Sequence, residues 1–480
     1  MRDQQLRWAV LAVAGLTLFA ALLRFPFASA EDLWFDEVFS VVLSSQDLGE
    51  LFRRALADQT NPPGFYLLLG AWIRLGGVHS SWLRALPALA GTLTVPAVAA
   101  LARALRMRWS AALLASLLAA VSPLLLAMSL EVRAYAVLAL FTALSLTMGV
   151  RLARPHDPPR YGVAALAAVN LVLVSLHYFG ALVVVAGVVA TWWTNRTRLR
   201  AAVLAALPAG AALAGWIGVV IVAFPGRRVG VNAGWIQPPG LRELGTFNSN
   251  AVGTFGTGWG VFAVNAVVIL ALLAAAWYAG GRRAPHAASE IGAADVACFR
   301  ARWLLVALLL PVTTVFAVSD LSSHSIWLAR YLIIAMPPLW ILVANAAMVP
   351  PGVARIAAGT AIASWACLAG PLAELTRLHK PAWSLIVRSL AGGAPVTVCV
   401  NEQYVGLPLE YYALDARLHL RVLDLHACAA AHEGAWALLR PETEGSLEVL
   451  RRSGAVVGAA RALKTALPDA DLHALRWTAR

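Results

Sequence analysis

Two adjacent carboxylates, Asp36 and Glu37, stand in the stretch EDLWFDEVFS (Glu31–Ser40), directly after the first hydrophobic run of the chain. Acids beside a membrane-length segment are expensive to place and call for a reason. Neighbouring residues do not share a face on a helix, and on a strand they point to opposite sides. They are poorly suited to flank one glycosidic bond as a hydrolase pair separated by about 5–9 Å. One carboxylate acting alone as base fits better, taking the proton of an acceptor hydroxyl while its neighbour orients or holds another group. A single base suffices when the leaving group needs no proton. A sugar joined to a lipid phosphate is such a donor, because the phosphate gains negative charge as the anomeric bond breaks and arginines can stabilise it.

Further polar residues fall at the ends of hydrophobic runs. SLEVRAY (Ser129–Tyr135) offers Glu131, Arg133 and Tyr135, and HYFG (His177–Gly180) offers His177 and Tyr178. GRRVGVNAGWIQPPGLREL (Gly226–Leu244) carries Arg227 and Arg228, and SHSIWLARYL (Ser323–Leu332) carries Arg330 and Tyr331. Singly, Arg and Tyr at such ends are interfacial anchors, a lone His is more often structural than a ligand, and an arginine pair binds lipid phosphate. Their convergence on one membrane face is what points to a site.

The elements that must position them are membrane spans. The chain has 480 residues, 60% of them hydrophobic, and a mean hydropathy of +0.71. Runs of roughly 17–25 apolar residues recur as far as Pro371. They lie at Trp8–Leu23, Ser81–Ala102, Ala111–Met128, Ala134–Leu152, Tyr161–His177, Ala181–Thr194, Ala201–Ala223, Gly258–Gly280, Trp303–Val318, Tyr331–Met348 and Val353–Leu372. The fold class is therefore a polytopic α-helical membrane protein of about eleven spans. Arg2, Arg7 and the Ala28-Ser29-Ala30 triplet resemble a signal peptide, but Arg24, Pro26 and the many later spans favour an uncleaved first helix. The net charge of +13 comes as arginine clusters between the runs rather than as one basic face, which excludes nucleic acid as the partner and marks cytoplasmic loops.

Asn61–Gly77 is apolar but short, opens on Pro62-Pro63 and carries Arg74. Only if it lies in the interface do the clusters at Arg103–Arg108, Arg151–Arg160, Arg196–Arg200 and Arg282–Arg302 all become cytoplasmic. It is therefore read as a juxtamembrane element. Upstream, Leu48, Leu51, Phe52, Ala55 and Leu56 follow helical spacing after an Asp47–Glu50 capping pattern. Both elements belong to a first outer loop over residues 24–80, within a membrane unit over 1–373. Beyond it, residues 374–480 read as a small α/β domain on the same side as Asp36. Its strand-like runs are APVTVCV, LHLRVLD, AWALLRP and LHALRW, and its helical stretches are Pro381–Leu390 and Ser446–Ser453. Cys399 and Cys428 fall together on that outer side, where either a disulfide or two buried thiols fits; Cys298 falls in a cytoplasmic loop.

LWFDEVFS followed by NPPGFYLLL, SLEVRAYAV, HYFG and ARYLIIAMPPL resembles, in this order, the GT-C membrane glycosyltransferases, in particular the protein O-mannosyltransferases and lipid A aminoarabinose transferases. The resemblance implies an inverting transfer from a polyprenyl-phosphate sugar to an acceptor hydroxyl outside the cytoplasm. It makes Asp36 the catalytic carboxylate with Glu37 beside it, and lines the donor site with Arg133, Tyr135, His177 and Arg330. The large outer loop, with WIQPPGLREL, is only loosely family-like and the C-terminal region carries no family motif, so the acceptor, whether glycan, lipid or protein, stays open.

No HExxH, CxxC pair or clustered Asp/His spacing is present, and a monophosphate donor can be neutralised by arginine, so no obligatory metal is expected. A divalent cation between Asp36 and Glu131 is the alternative. The enzyme expected is mannosyltransferase-like and multi-pass in the plasma membrane, with its site extracytoplasmic. A flippase for lipid-linked sugars is the competing reading, but transporters place polar groups near the bilayer midplane, often in repeated halves, and neither pattern is found here. A catalytically dead assembly factor would not need Asp36 and Arg330.

Overall fold

The computed structural model describes residues 2–154, 162–225, 236–240, 288–322, 325–348, 380–390, 396–400, 403–424, 427–428, 435–439, 456–457, 461–463 and 472–478. Helix α1 (Arg2–Leu22) precedes three shorter helices: α2 (Phe35–Ser44), α3 (Leu48–Asp58) and α4 (Gly64–Gly76). Then come α5 (Ser80–Ala104), α6 (Trp109–Val121), α7 (Pro123–Ser129), α8 (Tyr135–Ala153), α9 (Gly162–Leu176), α10 (Gly180–Thr194) and α11 (Leu199–Ala223). A long helix, Ala288–Leu321, and a 3-10 turn (Tyr331–Ala335) running into Met336–Ala347 complete the described bundle.

Among the described residues, five helices are long and apolar enough to cross a membrane, or six if the bent pair α6–α7 is one span. That pair bends by 52° at Ser122-Pro123, where proline cannot continue the hydrogen-bond ladder of α6. Shorter apolar helices occupy α4, α9, α10 and Tyr331–Ala347. Nine of the eleven expected spans fall on described residues and each is helical; Gly258–Gly280 and Val353–Leu372 lie outside the described residues. The buried centre is α5, which packs against α1, α6 and α8.

Helices α3 and α4 form for local reasons. Asp47 caps α3 by accepting from the Glu50 N–H at 2.9 Å. The Glu50 carboxylate does not return to the cap; it pairs with Arg53 and Arg54, each at 2.6 Å. Gln59 ends α3 in the left-handed region, with φ 58°. At about 1.5 Å per residue the 13 residues of α4 reach ~20 Å, short of a bilayer core of about 30 Å. At Gly64 only glycine fits, since a Cβ there would lie 2.5 Å from the Ser175 carbonyl oxygen of α9.

Strands occupy the four runs expected: β1 (Val396–Val400), β2 (Leu420–Asp424), β3 (Ala435–Leu439) and β6 (Leu472–Thr478), with short β4 (Val456–Val457) and β5 (Arg461–Leu463). The order is β2-β1-β3-β6-β4, with β5 also on β6; β1 runs parallel to β2 and β3, and β6 antiparallel to its neighbours. Trp383–Leu390 matches the expected helix, while Ser446–Ser453 lies outside the described residues. An additional helix, Gln403–Asp415, packs against β1, β2 and α2. Cys399 and Cys428 form a disulfide, with Cα atoms 5.9 Å apart.

Candidate active site

Helix α2 begins at the site, and its first turn separates the two acids. Asp36 is part-exposed, and its Oδ2 lies 3.8 Å from Arg330 Nη1. Glu37 is fully buried. Its Oε1 accepts from Arg84 Nε and from the Val132 N–H, both at 2.9 Å. Its Oε2 accepts from Arg84 Nη2 at 2.9 Å, Lys380 Nζ at 2.8 Å and the Trp34 N–H at 3.2 Å. The last contact also caps α2. Burial works against the charge on Glu37, but Lys380 and Arg84, through their charges and hydrogen bonds, outweigh it and hold the pKa at about 2. With both oxygens engaged, Glu37 is placed to hold the loop, and Asp36 is the acid of the pair that can meet a substrate.

The same anchor ties the loop to the region bearing the sheet. Lys380 Nζ also donates to the Leu130 carbonyl at 3.2 Å, and its N–H donates to Glu31 Oε1 at 3.2 Å. The Ser384 N–H donates to Asp32 Oδ2 at 2.7 Å, and the Leu33 N–H to the Tyr412 hydroxyl at 2.6 Å. Arg84 adds bonds to the carbonyls of Ala28, Glu31 and Asp32.

Around Asp36 the other expected residues gather. Arg133 is buried, and its Nη1 donates to the Asp36 carbonyl at 3.4 Å and to Ser40 Oγ at 3.3 Å. Tyr135 and His177 have ring centroids 5.7 Å apart, and Tyr331 stands 6.1 Å from Tyr135 and 5.3 Å from His177. The Arg330 guanidinium lies 5.9 Å from each of the rings of Trp34, Tyr135 and Tyr331, within cation–π range. Burial, with Arg133 and Arg330 adding positive charge, pushes His177, just past the end of α9, down to about 3. Its imidazole is therefore neutral near pH 7. Burial raises the Glu131 carboxyl despite the opposing pull of Lys380.

Tyr178 turns elsewhere, donating to the Gln59 carbonyl at 3.3 Å and accepting from Trp216 Nε1 at 3.0 Å. Arg227 and Arg228 lie outside the described residues. A small cavity beside Arg133 is lined by Asn61, Phe65, Tyr66, Tyr135 and His177. Asp58, raised by burial, feels the charges of both Arg133 and Asp36. Arg84, Lys380, Asn61, Tyr66 and Asp58 were not singled out from sequence as site residues. Arg84 reads there as one more cation near a span end, and Lys380 has no motif around it. Among the described residues, no group of three or more His, Cys, Asp and Glu side chains is arranged to hold a metal ion.

Residues 61–223 match the profile of the family described as dolichyl-phosphate-mannose-protein mannosyltransferase. The whole structure is similar to that of ArnT from Cupriavidus metallidurans bound to undecaprenyl phosphate, at 15% identity, covering 98% of each chain with a TM-score of 0.60. The chain has the GT-C fold. The same GT-C fold is seen in the Archaeoglobus fulgidus oligosaccharyltransferase tethered to an acceptor peptide with the NVT sequon. There the identity is 12%, covering 94% of this chain and 69% of that one, with a TM-score of 0.53. The oligosaccharyltransferase AglB of the same organism, in complex with an inhibitory peptide and a dolichol-phosphate, gives 12%, 86% and 64%, and 0.51. No curated protein sequence matches the chain. Within this GT-C fold the family-matched segment supplies Arg133, Tyr135 and His177, whereas Asp36, Arg330 and Lys380 lie outside it.

Proposed function

We propose that the chain is an inverting glycosyltransferase that moves a sugar from a polyprenyl-phosphate donor to an acceptor hydroxyl on the extracytoplasmic side of the plasma membrane. The observation that carries this reading is the part-exposed Asp36 carboxylate 3.8 Å from Arg330, with buried Arg133 behind it. A base and two cations stand where an acceptor and a departing phosphate must meet. The undecaprenyl phosphate in the ArnT structure and the dolichol-phosphate in the AglB structure support a polyprenyl carrier.

In this mechanism Asp36 takes the acceptor proton as the acceptor oxygen attacks the anomeric carbon opposite the phosphate. The bond from that carbon to the phosphate oxygen breaks, and Arg330 and Arg133 stabilise the charge left on the phosphate. Tyr135, neutral His177 and Tyr331 form an aromatic wall for the sugar. Glu37 and Lys380 hold the loop that presents Asp36. Arg227 and Arg228 are assigned to the donor phosphate and Tyr178 to the wall's support. No obligatory metal is invoked, because arginine meets the monophosphate. Residues 1–373 form the catalytic membrane unit and 374–480 the extracytoplasmic domain, for which the Cys399–Cys428 disulfide suits an oxidising compartment. The sugar is read as mannose-like from the family match.

The test is reconstitution in lipid with a panel of polyprenyl-phosphate sugars and a crude acceptor extract, measuring free polyprenyl phosphate and the anomeric configuration of the product. One donor consumed with inversion is the expected result. Retention of configuration would refute the single-base mechanism. Movement of labelled donor across the bilayer without consumption would replace the transferase with a flippase.

A further inference from the structure

A cavity of about 630 Å³ opens between α2 and α3 on one side and the sheet-bearing region on the other. Its size suits a small-molecule site. The α2 wall consists of Phe35, Phe39 and Val42, one helical stripe, together with Leu43. Leu407, from the helix Gln403–Asp415, and Val422, from β2, stand among the residues of the facing wall. That wall takes in the ends of β1 and β2 (Val400, Asp424). In open sheets with parallel strands, ligands collect outside these carboxyl ends.

The neighbouring stripe of α2 runs Asp36, Ser40, Leu43. Ser40 takes the Arg133 bond and Leu43 lines the cavity. Phe35, which lines the cavity, directly precedes Asp36 in the first turn of α2, so the candidate base is one residue from the cavity wall. Among the lining residues the charged groups are Arg54, Glu410 and Asp424. Arg54 is already paired with Glu50 at 2.6 Å, so this rim offers a phosphate or carboxylate little attraction.

We propose that this cavity is the acceptor subsite, and that it takes an uncharged or cationic acceptor carrying an apolar group close to the hydroxyl to be glycosylated, not a polyanionic one. The inference rests on the transferase reading for what happens to the acceptor, but binding can be measured apart from turnover. A phenylalkyl glucoside and its 6-phosphate serve as probes that differ by one anionic group.

Equilibrium dialysis would compare the full chain in nanodiscs with empty nanodiscs, using radiolabelled probes. The neutral probe should bind at least tenfold tighter than the phosphorylated one. Val42→Trp and Leu407→Trp, which fill the cavity from opposite walls, should each weaken neutral binding at least tenfold while retention of polyprenyl-phosphate donor stays within twofold. Two separate walls guard against one variant failing to fold. Glu410→Lys should narrow the preference between the probes. Equal binding of both probes, or neutral binding untouched by either tryptophan in folded protein, overturns the proposal. Neutral binding lost in the tryptophan variants, with no donor consumed by the unaltered protein, keeps the subsite and removes the transferase reading. Donor turnover without specific probe binding does the reverse.

Discussion

At the scale of single residues, the account assigns opposite fates to two neighbouring acids. Asp36 faces the arginines and is part-exposed, whereas Glu37 is consumed by Arg84, Lys380 and two backbone donors. Asp36→Asn should lower transfer by a factor on the order of a hundred to ten thousand, as expected for loss of a sole base, while donor retention in nanodiscs is preserved. His177 gives a pH signature. Its pKa is depressed in the folded chain to about 3, so its contribution to stability is complete above the unfolded value of about 6.5 and is lost as pH falls below it. Between pH 6.5 and 5 the loss is about 2 kcal/mol, and His177→Gln should flatten the fall in thermal stability across that window. The pair Asp36-Glu37 stood out in the sequence because acids just outside a hydrophobic run are anomalous locally, while the choice of Asp36 rested on the family resemblance. Arg84 did not stand out, because its function appears only when α5 brings it beneath Glu37.

At the scale of elements, the segment bearing α2 is fixed from two sides. Arg84 on α5 and Lys380 ahead of the helix Trp383–Leu390 share one carboxylate. Breaking a buried ion pair by removing one partner typically costs about 3–5 kcal/mol. Lys380→Met should therefore lower both the melting temperature and the transfer rate, and Lys380→Arg should recover much of each; a rate unchanged in Lys380→Met would disconnect the anchor from the presentation of Asp36. Charge parity and Pro62-Pro63 set Asn61–Gly77 apart in the sequence as a juxtamembrane candidate, whereas length does not, because α4 has 13 residues and α9 and α10 have 15 each. The helix Gln403–Asp415 was not legible in the sequence. Gly406 and Pro408 break its helical pattern, and packing on β1, β2 and α2 overrides local propensity.

At the scale of the molecule, a helical bundle and a mixed sheet meet at Asp36's loop, and the cavity between them is lined by Phe35, the residue before the candidate base. The four main strands were legible because alternating apolar runs stand out after a long hydrophobic stretch. Their order was not, since parallel pairing of β1 with β2 and β3 depends on connections that no local pattern encodes. The disulfide joins β1 to the segment after β2 across a separation of 29 residues. In the chain-entropy picture a loop of that size stabilises by about 3.6 kcal/mol. Paired Cys399→Ser and Cys428→Ser should make the sheet region open to limited proteolysis before the bundle. Simultaneous cleavage of both would contradict this.

The most direct test of the central claim is single-turnover release of polyprenyl phosphate by the reconstituted chain and by Asp36→Asn, with donor binding measured in parallel. Release by the unaltered chain, near-complete loss in the variant and equal donor binding by both are expected. Equal release by the two proteins would show that Asp36 is not the base, and the assignment of the site would fall with it.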